Sequence, residues 1–145
     1  MENPALSATV AALARQAANG AEASTIAASI TSTWRQIEQA LTPILGARGV
    51  AALFKRALFL TKDRFPWLEE AFIATEASSE HGALDSFGLV LGQQSAATAA
   101  AGGGTFLSTF HGVLVSMIGA TLTERLLQSV WVTSSSGPPA QGTSP

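Results

Sequence analysis

Cysteine is absent from this 145-residue chain, and its absence excludes several kinds of site. Without a thiol the protein has no disulfide, no thiolate metal ligand and no cysteine nucleophile. The catalytic motifs G-x-S-x-G and H-E-x-x-H are also missing, and no nucleophile, base and orienting residue stand together in the sequence. The sequence therefore predicts a protein that is not an enzyme and that holds no metal.

Charged residues are scarce, at 12% of the chain, which is about half the share of roughly 25% that is usual in soluble proteins. Eight basic and ten acidic residues leave a formal net charge of −2, which argues against a general nucleic-acid binder because such a protein carries a basic face. Hydrophobic residues make up 47% of the chain, so we expect some apolar surface to be exposed in the monomer and to be buried by contact with a second chain. The composition favours a protein partner, including a second copy of this chain.

The longest stretch without a charged residue, 86–123, is long enough on paper to cross a membrane, for which about 20 apolar residues are needed. Gln93, Gln94 and the run AAAGGG interrupt it, so a membrane span is not expected. The N-terminus carries Glu2 where a secretory signal would carry Lys or Arg. We therefore expect a cytoplasmic location.

Helical periodicity dominates the sequence between its two ends. The clearest apolar stripe advances in steps of three or four residues: Ile26, Ile30, Trp34, Ile37, Leu41 and Ile44. It predicts an amphipathic helix that ends at a turn near Gly46, with this glycine in a left-handed conformation. Further helices are predicted over 50–61, after Pro66, over 83–101 and over 105–132. The glycines of AAAGGG predict a flexible joint before the last of these.

These elements predict an all-α bundle of four or five helices over residues 24–132. The preceding segment, 1–23, is rich in alanine and has a thin apolar stripe, which indicates a loosely helical or disordered arm. The following segment, 133–145, holds turn formers and no core residues, which predicts a disordered tail.

His111 lies among apolar side chains on a predicted helix. A buried, hydrogen-bonded structural histidine is the favoured interpretation. A phosphoacceptor is disfavoured, because that histidine must be exposed and is typically followed by Lys and Gly, whereas HGVLV supplies neither at those positions. The ligand-binding alternative is that His111, with Phe106 and Phe110, lines a pocket for haem or for a small apolar molecule.

Basic and acidic residues are separated along the middle of the chain. Five of the eight basic residues lie between positions 48 and 64, and five acidic residues follow between 69 and 85. Neighbouring antiparallel helices would allow the two groups to pair. The alternative is that Arg48, Lys55 and Arg56 form a patch that binds an acidic partner.

Small residues recur every fourth position on the last predicted helix, at Ser108, Gly112, Ser116 and Ala120, with Met117 beside them. Such a row allows two helix backbones to approach closely. The row predicts a homodimer interface, and the alternative is a seat for another helix of the same chain.

Two blocks, LTPILGARGVAALFKRALFLT and IGATLTERLLQSVW, resemble recurring blocks of small, uncharacterised bacterial helical proteins associated with signalling systems. The resemblance covers the core from Trp34 to Trp131 and implies no known activity or catalytic residue. It implies a bacterial signalling adaptor or regulator, and with the composition it predicts a protein-interaction module that acts as a homodimer. The alternative function is a ligand-sensing helical domain with its pocket near His111.

Overall fold

The computed structural model of the protein describes residues 4–77 and 80–135. Their elements are α1 (Pro4–Ala18), α2 (Ala23–Thr61), a 3₁₀ turn (Pro66–Leu68), α3 (Glu69–Ala77), α4 (Glu80–Gly92), α5 (Ala96–Ile118) and α6 (Ala120–Ser135). No strand occurs in these two ranges, and the predicted all-α bundle is confirmed. The last ten residues of the predicted tail, 136–145, lie outside the described residues.

Helix α2 contains both of the first two predicted helices and the turn between them. Gly46 has φ 79° and ψ 160°, so it interrupts the helical geometry with the positive φ that the sequence predicts for it. Pro43 lies one turn earlier and lacks the N–H that a helix interior needs. Ile44, the last member of the apolar stripe, is 57% exposed because it lies at this kink and not in the core.

The core is built around aromatic side chains of α2 and α5, the two helices that contact each other most extensively. Trp34 of α2 is 1% exposed. Its ring centroid lies 5.1 Å from that of Phe54, 5.6 Å from that of Phe106 and 4.9 Å from that of Phe110. Tilted and edge-to-face ring contacts at these distances stabilise the fold in addition to the stabilisation that comes from the buried area. The predicted stripe of α2 therefore faces α5.

The three glycines of AAAGGG lie inside helix α5, so the predicted flexible joint is wrong. A Cβ atom at Gly103 would stand 2.0 Å from Cδ1 of Ile30, and one at Gly104 would stand 2.9 Å from Cγ1 of Val10. These positions are glycine because neighbouring helices pass against the backbone of α5. Close packing on two sides offsets the low helix propensity of glycine.

The predicted boundaries of the later helices change accordingly. The segment predicted as one helix over 83–101 contains the end of α4 and the start of α5. Ser95 caps α5, because its Oγ accepts a hydrogen bond from the N–H of Thr98 at 3.1 Å. The segment predicted as one helix over 105–132 breaks at Gly119, which has φ 90°. Ala120 therefore belongs to α6.

The N-terminal segment forms a packed helix. Leu6 and Leu13 of α1 are 6% and 4% exposed, and α1 contacts α5 through Val10 at the glycine run. The thin apolar stripe of α1 is sufficient for packing, because Gly104 has no side chain that would hold α1 away from α5. α1 is thus part of the bundle and not a loose arm.

Candidate functional site

The second half of α2 exposes a strip of basic residues. Arg48, Lys55 and Phe59 follow each other at intervals of seven and four residues, which places them on one helical face, with Arg56 beside them. We call these four residues the basic strip. Arg48 and Arg56 are exposed and Lys55 is partly buried. The strip brings together the three residues that the sequence predicts as a patch for an acidic partner.

An aromatic side chain lies within the strip. Phe59 is 42% exposed, and its ring centroid lies 5.6 Å from that of Phe72 on α3. The guanidinium of Arg56 lies 5.8 Å from the Phe59 centroid, and the ammonium of Lys62 lies 5.0 Å from it. Cations at these distances are attracted to the ring face. The sequence does not single out Phe59, because it lies between Leu58 and Leu60 and an apolar run does not indicate which of its residues is exposed.

The predicted pairing of basic with acidic helices occurs only in part. Nζ of Lys62 lies 3.6 Å from a carboxylate oxygen of Glu69, where α3 begins. Within the described ranges, neither Arg48 nor Arg56 has a carboxylate within ion-pair distance. Among the described residues, the positive charges of Arg48 and Arg56 are therefore not neutralised by the acidic helices.

The small-residue row of α5 faces outward. Ser108, Gly112 and Ser116 are exposed, and Met117 beside them is 60% exposed. A Cβ atom at Gly112 would meet nothing within 4 Å. Among the described residues, the exposure of Gly112 and Ser116 gives no support to the intrachain alternative, although Ser108 also lines a groove shared with α1. Ala120 does not continue the row, because the break after Ile118 turns the chain before it.

His111 is buried, at 5% exposed. Burial lowers its pKa below the ordinary value of 6.5, and the charge of Glu124 opposes the shift. Its Nε2 atom is buried and has no hydrogen-bond partner among the described residues, and the same is true of Oγ1 of Thr123 on α6. His111 is therefore a core residue as predicted, but Nε2 lacks the predicted hydrogen bond.

Phe106 and Phe110, the other two residues of the predicted ligand pocket, are fully buried. Both rings contact Trp34 in the aromatic core. A ligand as large as haem at this position would have to displace core side chains. Close-packed interiors resist such displacement.

A groove of about 660 Å³ lies between α1 and α5, which we call the α1–α5 groove. Its walls are the α1 residues Val10, Ala14, Ala17 and Ala18 and the α5 residues Ala97, Ala100, Ala101, Gly104, Thr105, Ser108 and Thr109, and Arg64 also lines it. None of the three residues of the predicted ligand pocket lines this groove. Sequence analysis missed it, because the arm that forms one wall was not expected to pack.

A smaller cavity of about 210 Å³ lies between α1 and α2. Hydroxyl and amide side chains form most of its lining, including Gln16 and Gln36. Oε1 of Gln16 is buried and has no hydrogen-bond partner in the part of the chain that the structure describes. A cavity of this size and polarity is suited to ordered water.

Neither metal chemistry nor a membrane gains specific support from the described residues. They contain no group of three or more His, Asp or Glu side chains that could hold a metal ion. Helix α5 is long and apolar enough to cross a membrane by length and composition alone, and 44% of its most apolar window is buried in the bundle. The core helix of a soluble protein has the same properties.

No family model, curated protein or solved structure matches this chain. The resemblance to small bacterial signalling proteins therefore stays a prediction.

Proposed function

We propose that the protein is a non-enzymatic helical-bundle module that binds an acidic segment of a partner protein on the basic strip of α2. The observation that carries the proposal is the exposure of Arg48 and Arg56, neither of which has a described carboxylate within ion-pair distance, together with the half-exposed ring of Phe59. Arginine and aromatic side chains dominate the binding energy of protein interfaces. A partner that supplies carboxylates and one apolar side chain would complement both.

The length of the strip indicates the form of such a partner. From Arg48 to Phe59 the helix rises about 16 Å at 1.5 Å per residue, which is three turns. An acidic amphipathic helix could place carboxylates against both arginines and an apolar residue against Phe59. Complementary charge would fix its orientation and speed its association.

We also propose that the protein acts as a homodimer through the row of Ser108, Gly112 and Ser116. The exposure of the row and the open space at Gly112 support this proposal. Residues 86–123 carry no charge, so two copies could meet there without like-charge repulsion. A cytoplasmic role in bacterial signalling rests on the sequence and its resemblance alone.

The experiment is a quantitative pull-down from the native host with wild-type protein and with a variant carrying Arg48→Glu and Arg56→Glu. Arg125→Glu is the matched control, because Arg125 is an exposed arginine on α6. We expect the strip variant to lose a protein that wild type and control retain, and that protein to bind wild type more weakly as salt rises. Retention of the same proteins by all three baits would contradict the proposal.

The alternative, a ligand sensor near His111, has one observation in its favour, the unpartnered Nε2. An absorbance scan for a Soret band, with mass spectrometry of bound small molecules, tests it directly. A Soret band in wild type that disappears in His111→Leu would show that the protein is a haem sensor and would contradict the interaction module.

A further inference from the structure

We propose that the α1–α5 groove binds a single-chain amphipathic carboxylate of the fatty-acid class, with its carboxylate at Arg64 and its chain along the alanines of α1. The site is separate from the basic strip, so it does not depend on the acidic-partner proposal; Ser108 belongs both to the groove wall and to the row proposed for the homodimer.

The walls of the groove suit a narrow apolar chain. Along α1, the lining side chains from Val10 to Ala18 are all apolar and short. On α5 they are alanine, glycine and threonine or serine, so no bulky side chain fills the space between the helices. The volume of about 660 Å³ falls in the range of about 300–1,000 Å³ typical of small-ligand sites.

One charged group defines the polar end. Among the described residues that line the groove, Arg64 is the only charged one. It is exposed, and no carboxylate within residues 4–77 and 80–135 lies within ion-pair distance of it. A guanidinium binds a carboxylate through two parallel hydrogen bonds. The charge of the site is thus complementary to a carboxylate.

The backbone adds to this positive field. Ala97, in the first turn of α5, also lines the groove. The N-terminal end of a helix carries partial positive charge from its unpaired N–H groups. Trp67, three residues after Arg64, lies so close to Gly102 of α5 that a Cβ there would stand 2.7 Å from its ring. The segment that carries Arg64 is thus packed against α5 close to the groove.

The test is isothermal titration calorimetry of the full chain with octanoate, decanoate and dodecanoate, each below its micellar concentration. We expect one saturable site and affinity that rises about three- to fourfold for each added methylene, which corresponds to about 0.8 kcal/mol. Arg64→Gln should weaken dodecanoate binding about fivefold and leave the binding of dodecan-1-ol unchanged. Arg125→Gln is the matched control for charge.

A second pair of variants tests the location. Ala101→Phe places a ring in the groove at an exposed position of α5, and Ala28→Phe places one at an exposed position of α2 away from it. We expect Ala101→Phe to abolish binding and Ala28→Phe to bind as wild type does, with unchanged circular dichroism in both. If Ala101→Phe unfolds, Ala14→Phe on the opposite wall takes its place.

Three outcomes would overturn the proposal: no saturable binding, dodecanoate binding that survives the filled groove, or an Arg64→Gln effect equal for dodecanoate and dodecan-1-ol. The variant with Arg48→Glu and Arg56→Glu should bind dodecanoate as wild type does. Failure of the acidic-partner proposal would leave these results unaffected.

Discussion

Replacing Gly103 by alanine should destabilise the protein, although alanine favours helix over glycine. The added Cβ would stand 2.0 Å from Cδ1 and 2.9 Å from Cγ1 of Ile30. Ile30 is fully buried, so its side chain would have to repack within the core to make room. Overpacking of this kind costs about 1–3 kcal/mol, and the gain in helix propensity returns about 1 kcal/mol. We expect a net loss of up to about 2 kcal/mol in the free energy of unfolding.

Gly112→Ala is the matched control, because it makes the same change on the same helix where a Cβ meets nothing within 4 Å. Helix propensity alone predicts that it stabilises the monomer by about 1 kcal/mol. The two variants should therefore differ by about 1–3 kcal/mol in urea unfolding followed by circular dichroism. Repeating the measurement at several protein concentrations separates any contribution from dimer dissociation.

A second substitution tests the cause. Ile30→Val removes the Cδ1 atom that stands closest to the added methyl group. Ile30→Val alone should cost about 0.5–1.5 kcal/mol, and the double variant with Gly103→Ala should lose less than the sum of the two single losses. Equal stabilities of Gly103→Ala and Gly112→Ala would refute the explanation that close helix packing requires glycine in this run.

Three further predictions follow from the core and the outer face. Trp34→Ala should lower the free energy of unfolding by about 3–5 kcal/mol, because it empties the centre of the aromatic core, and a loss below about 1 kcal/mol would contradict that role. Burial lowers the pKa of His111 in the folded protein, so just below pH 6.5 the unfolded state takes up a proton that the folded state does not. Wild type should therefore lose stability there as pH falls. The His111→Leu variant should lose less stability than wild type between about pH 5 and 7. Replacing both Gly112 and Ser116 by Leu should lower the dimer fraction in sedimentation. Helical circular dichroism should stay unchanged, since both positions are exposed. A wild type that is monomeric at micromolar concentration would disprove the dimer.

Part of the candidate site could be predicted from the sequence because helix periodicity places side chains on known faces. Arg48, Lys55 and Arg56 share a face for this local reason, and they lie on one face of α2. The aromatic part of the strip could not be predicted, because the contact of Phe59 with Phe72 depends on how α3 folds back onto α2. The α1–α5 groove could not be predicted either, because its walls are about 90 residues apart in sequence.

The sequence by itself determined the local properties of the chain: an all-α fold, a buried stripe with Trp34 in it, and a positive φ at Gly46. These follow from residue type and from a repeat of 3.6 residues, which act over neighbouring turns. Only the tertiary structure decided that the run ending at Gly104 is a packing surface and not a joint. Glycine is equally compatible with a flexible link and with close contact, and the choice depends on whether another helix, here α1 at Val10, lies within reach.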